Sequence, residues 1–101
     1  ITSYYTDKDD NRQLELDAAI DANINNSYID EVIILSETSD TNHLKHSKVT
    51  ILSSNRPTFK DFFNIINERT KDDDINILIN TDIYVDDTLF NLFKIIKFYV
   101  Y

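Results

Sequence analysis

The sequence predicts an α/β domain, with a mainly parallel sheet covered by helices on both faces. Three observations carry this prediction. Short apolar runs alternate with stretches of helical period in the order β-α-β-β-α-β-α. The run Val32-Ile33-Ile34-Leu35 is apolar without alternation, as in strands buried on both faces. The chain has 101 residues, 42% of them apolar, which is enough for one core and so for a single domain over residues 1–101.

Ile1 to Tyr5 is apolar and rich in β-formers, and Thr6 to Asp10 breaks it, so a strand and a loop are expected. Leu16, Ile20 and Ile24 recur every four residues and predict an amphipathic helix from about Asn11 to Asn25, with Asp10 and Gln13 spaced as in a capping box. Val32 to Leu35 is the second strand, Ser36 to Lys48 a polar loop, and Val49 to Leu52 the third strand. Thr58, with Asp61 three residues on, caps a helix. Phe59, Phe62, Phe63 and Ile66 in that helix are expected to turn one aromatic face inward. Ile75 to Ile79 is the fourth strand. Asp87 then caps a last helix with Leu89, Leu92, Phe93 and Ile96 on one face.

Composition narrows the function. Ten basic against 18 acidic residues give a net charge of −8, which disfavours a nucleic-acid partner. There is no cysteine, hence no disulfide and no thiolate zinc site. There is no glycine, hence neither a P-loop nor a glycine-rich dinucleotide fingerprint. No signal segment and no run of about 18 apolar residues occurs, so a cytoplasmic chain with no membrane span is expected.

In an open α/β sheet, ligands bind beyond the carboxyl ends of the strands. Ser3-Tyr4-Tyr5, Ser36-Glu37 and Asn80-Thr81-Asp82 fall at such ends, and Ser53 to Arg56 joins them. Two readings of Asp82 stand at this point. It is a ligand for a hard cation such as Mg²⁺ or Mn²⁺, which takes one or two carboxylates plus phosphate oxygens. Or it is a turn residue accepting from nearby backbone N–H groups. Asp86 and Asp87 read as helix-entry residues, and His43 and His46 as exposed loop residues. Arg56 suits either a phosphate or a surface carboxylate.

Four segments occur in order: ITSYYTDKDDNRQLELDAAIDANINN, IDEVIILSE, NRPTFKDFFNIIN and INILINTDIYVDDTL. Together they resemble the N-terminal, nucleotide-binding half of GT-A-type glycosyltransferases. The likeness is to the bacterial and viral group with an N-S/A-D-I-Y-F-D-x-T-L element, which stands here as residues Asn80 to Leu89. The resemblance implies the N-terminal portion of a Rossmann-like GT-A domain. It implies a nucleotide-diphosphate sugar as donor, commonly a UDP-sugar. Asp82 would be the metal ligand, holding Mn²⁺ or Mg²⁺ against the diphosphate. Thr2, Ser3 and Tyr4 at the first strand end, and Glu37 at the second, would line base and ribose. Arg56 and Asn80 would lie near the nucleotide. Thr81 replaces the usual Ser or Ala, and Asn80 replaces the first Asp of a D-x-D motif. In the family an acceptor-binding half follows this portion, so the expectation is a truncated domain whose acceptor and inverting base lie beyond it.

Two other classes compete. One is a non-catalytic α/β module that self-associates through its aromatic C-terminal helix as a homo-oligomer. The other is a flavodoxin- or receiver-like switch. A receiver needs an acidic pair after its first strand, where this chain has Ser3-Tyr4-Tyr5.

Overall fold

The computed structural model describes residues 1–86 and residue 88. The last predicted helix, its Asp87 cap and its aromatic face lie outside the described residues. The element order is β1 (Thr2–Tyr4), α1 (Asp10–Asn25), β2 (Val32–Ser36), a 3₁₀ turn (Asn42–Leu44), β3 (Val49–Ser53) and α2 (Phe59–Arg69). The strands form a three-stranded sheet in the order β1-β2-β3. Both pairings are parallel, with Thr2 opposite Ile34 and Ile34 opposite Ile51. The protein is therefore α/β with a small parallel sheet.

Because successive strand residues point to opposite faces, β2 divides its side chains between two cores. Val32 and Ile34 join Tyr4, Ile20, Ile24 and Leu44 on the face that α1 covers. Ile33 and Leu35 join Phe62, with Leu52, Ile65 and Leu78 packed alongside, on the face that α2 covers. All five residues of β2 are buried. That explains the unbroken apolar run, and the sheet is covered on both sides as expected.

The helix starts follow their caps. α1 begins one residue earlier than expected, because Asp9 is the N-cap and accepts from the N–H groups of Asn11 and Arg12. Gln13 instead uses its side-chain oxygen on the N–H of Asp7, at 2.6 Å. In α2 the expected box is present: Thr58 accepts from the N–H of Asp61, and Asp61 accepts from the N–H of Thr58. The aromatic face of α2 differs from expectation. Phe62 is buried, whereas Phe59 is 75% and Phe63 54% exposed. At 100° per residue the buried face is centred between Phe62 and Ile65, roughly 90° from Phe59 and roughly 130° from Phe63.

Residues 75–79, expected as the fourth strand, form no strand and lie outside the three-stranded sheet, their backbone pairing among the described residues being with Ile1 alone. Ile1 N donates to Ile77 O at 2.7 Å, and Ile79 N donates to Ile1 O at 3.1 Å. This alternation is the parallel pattern, and it places the segment beside β1, on the side away from β2. The chain thus runs outward from β1 through β3, then returns across the sheet to the other flank of β1. No helix among the described residues is long and apolar enough to cross a membrane.

Candidate functional site at the carboxyl end of the first strand

The order of segments reverses at β1, where residues 75–79 return to its free flank, and open α/β sheets place their ligand crevice at such a reversal. The end of β1 and the segment after residue 79 are fastened together there. Thr81 Oγ1 donates to Ser3 O at 2.9 Å. Its one proton is then spent, so the 3.0 Å contact between the hydroxyls has Ser3 Oγ donating to Thr81 Oγ1. Thr81 is buried, and Asp82 follows it into solvent.

The Asp82 carboxylate meets the guanidinium of Arg12, Nη2 to Oδ2 at 3.1 Å. Arg12 sits in the first turn of α1, and its Nη1 is 3.0 Å from Glu15 Oε2. The bonds to Glu15 and to Asp82 push the guanidinium pKa up, further toward the charged form. Each of these side chains is partly exposed: 37% for Arg12 and 38% for Asp82.

Beside this edge a partly exposed polar cluster gathers round the buried Tyr4. The Tyr4 hydroxyl donates to Asp17 Oδ1 at 2.5 Å and accepts from Gln13 Nε2 at 2.7 Å. Gln13 Nε2 also reaches Asp17 Oδ1, at 3.2 Å. His43 Nε2 is 3.0 Å from the same hydroxyl and 3.4 Å from Asp17 Oδ1. With the tyrosine proton committed to Asp17, His43 must carry its proton on Nε2 and donate it. Burial, reinforced by the Asp17 carboxylate, pushes the Tyr4 pKa well above its ordinary value.

The sequence-predicted residues fall into three groups. Ser3 at the end of β1 is bonded to Thr81, whose chain neighbours are Asn80 and Asp82. Thr2 and Tyr4 have buried side chains, 3% and 1% exposed, and Thr2 lines a cavity at the opposite, amino end of the strands. Glu37 continues the β1–β2 ladder, its N–H donating to Tyr4 O at 2.9 Å. Arg56 follows β3, the far edge strand, and so lies about two strand spacings, roughly 10 Å, across the sheet from β1. Arg12 and Asp17 are absent from the sequence reading, Gln13 enters it only as a capping residue, and His43 is exposed as expected while still reaching the Tyr4 hydroxyl. Gln13 and Asp17 occupy positions four apart beside the Leu16/Ile20 stripe, and polar residues on an apolar stripe are the signal that was available.

Asp86 does not reach this crevice. Its Oδ1 accepts from the N–H of Thr88 at 2.9 Å and from its hydroxyl at 2.6 Å. These bonds hold its carboxyl below the usual range. A cavity of about 440 Å³ lies at the opposite, amino end of the strands, lined by Thr2, Val32, Ile77 and Asp74 among others. Neither Ser3 nor Asp82 borders it.

For a metal, the donor set is minimal. Among the described residues no three histidine, aspartate or glutamate side chains cluster as ligands. One carboxylate nevertheless fits a hard divalent ion that keeps its waters and takes other oxygens from a diphosphate. Asp82 Oδ1 is the oxygen that Arg12 leaves for it. No protein-family model, curated protein or solved structure matches this chain.

Proposed function

We propose that the chain is the donor-binding portion of a Rossmann-like, GT-A-type glycosyltransferase. It binds a nucleotide-diphosphate sugar, of the UDP-sugar class, with Mn²⁺ or Mg²⁺ at Asp82, for transfer of the sugar to an acceptor hydroxyl. The observation that carries the reading is the Ser3–Thr81 junction, with Asp82 next in the chain, at the carboxyl end of β1 where residues 75–79 return to its free flank. Further support comes from the sequence resemblance, which assigns Ser3 and Asp82 to the donor site.

The chain's own residues would act by position and charge. Ser3 and Thr81 fix the floor of the crevice and set where Asp82 stands. Asp82 would hold the cation, and a cation there offsets charge on the leaving diphosphate. Glu37, one strand along the same edge, would accept from a ribose hydroxyl. Thr2 and Tyr4 would support the nucleotide through the backbone they anchor.

Calorimetric titration of UDP, with and without Mn²⁺, tests the reading in the wild type and in Asp82→Asn. The expected result is UDP binding that Mn²⁺ strengthens in the wild type and leaves unchanged in the variant. A folded wild type that does not bind UDP in either buffer overturns it.

A further inference from the structure

Arg12 has no part in the donor site as assigned above, yet it holds the one residue assigned to the metal. We propose that Arg12 is a phosphate-binding residue of the donor site, and that its pair with Asp82 is a resting state that the diphosphate and the cation break together. The inference rests on the donor-site reading and adds a residue and an order of events to it.

Three observations lead there. First, this edge is poor in positive charge. Asp7, Asp9, Asp10, Glu15 and Asp82 surround the start of α1, and between residues 1 and 20 the basic residues are Lys8 and Arg12. Lys8 is exposed and forms no ion pair among the described residues. Second, the start of α1 is closed to an anion. The Asp9 carboxylate already takes the N–H groups of Asn11 and Arg12, at 2.9 and 3.3 Å. Besides Lys8 in the preceding loop, the groups left to meet a diphosphate at this edge are Arg12 and a metal. Third, the Arg12–Asp82 pair is built to open. It is a single contact between partly exposed groups, and pairs of that kind hold weakly. The guanidinium has five N–H donors, and its contact with Glu15 keeps it at the site when Asp82 lets go.

Arg12 and a divalent ion then compete for Asp82 in the empty protein, but cooperate once a diphosphate arrives. The cation takes the carboxylate, and the freed fork turns to phosphate oxygens. This predicts effects of opposite sign from one substitution. In Arg12→Ala, binding of Mn²⁺ alone, followed by electron paramagnetic resonance, tightens by roughly 2–5-fold, because a weak competitor is gone. Binding of UDP in saturating Mn²⁺ weakens by roughly 10–100-fold, the worth of charged hydrogen bonds to phosphate. Arg12→Lys, which keeps charge but not the fork, falls between. Asp82→Asn in metal-free buffer releases Arg12 and tightens UDP roughly 2–5-fold, by the same weak-pair estimate.

Weaker Mn²⁺ and weaker UDP binding together in Arg12→Ala, with no gain in metal-free Asp82→Asn, would make Arg12 a scaffold residue and overturn the proposal. So would unchanged UDP affinity in Arg12→Ala, and in that case the donor-site reading stands. A wild type that does not bind UDP removes the reading and this proposal with it.

Discussion

Tyr4 spends its hydroxyl on three side chains at once, in a strand of only three residues. Asp17 takes the proton, and Gln13 and His43 donate to the oxygen. The cluster therefore ties α1 and the 3₁₀ turn to the end of β1, where the crevice opens. Tyr4→Phe leaves Asp17 with only the longer contacts to Gln13 and His43, and a net loss of about 1–2 kcal/mol is expected in urea unfolding. The same contacts set a pH dependence. The folded pKa of Tyr4 lies above the ordinary 10.0, so its contribution is fully present below pH 10 and is lost as pH rises toward the folded value. Wild-type stability should fall above about pH 10 more steeply than that of Tyr4→Phe. Parallel curves would deny Tyr4 this role. Nothing in the sequence around Tyr4 reveals the cluster, since its partners come from 9, 13 and 39 residues away. Strand alternation alone assigns Tyr4 to a face without saying what that face meets.

At the scale of elements, caps and stripes were legible because they are local. The Thr58/Asp61 box, the α1 stripe and the unbroken β2 run are each written within a few residues. The rotation of the α2 face was not, because Phe59 and Phe63 are as apolar as Phe62, and only the position of the sheet decides which is covered. The route taken by residues 80–86 was also hidden. Asn23, buried on the α1 stripe, donates to Ile83 O and accepts from Val85 N, both at 3.0 Å. Asn26 donates to Val85 O at 3.0 Å. These amides hold the segment after Asp82 along α1. Asn23→Ala removes a buried reciprocal pair, so a loss of about 1–3 kcal/mol is expected. Amide hydrogen exchange should quicken at Val85 while Ile34, in the central strand, exchanges as before at low denaturant. Equal acceleration at both would mean that Asn23 supports the whole domain and not the segment.

At the scale of the molecule, the crevice depends on the return of residues 75–79 to the outer flank of β1, and strand order is the feature least visible in a sequence. The polar connection from β2 to β3 has no helix of four turns to give it a direction, only a 3₁₀ turn that buries Leu44. The charge balance, by contrast, was plain from composition and has a consequence for the whole fold. The chain carries eighteen acidic residues against ten basic ones, and its body measures 42 × 28 × 22 Å. Among the described residues, the ion pairs with a permanent cation are those of Arg12 with Glu15 and with Asp82. Both are partly exposed, and pairs of that kind hold weakly. Most carboxylates are thus left to repel one another across the molecule. Raising sodium chloride from about 0.01 M to about 0.1 M shortens the screening length from about 30 Å to about 10 Å, from longer than two of the three dimensions to shorter than all. Repulsion between distant carboxylates is then screened, while little is lost at two weak pairs. The thermal midpoint should therefore rise, and each 1 kcal/mol of relief should raise it by roughly 4–8 °C for a domain of this size. A falling midpoint would mean that the Arg12 pairs outweigh the distributed repulsion. The resting pair at the crevice would then be too strong to open as proposed.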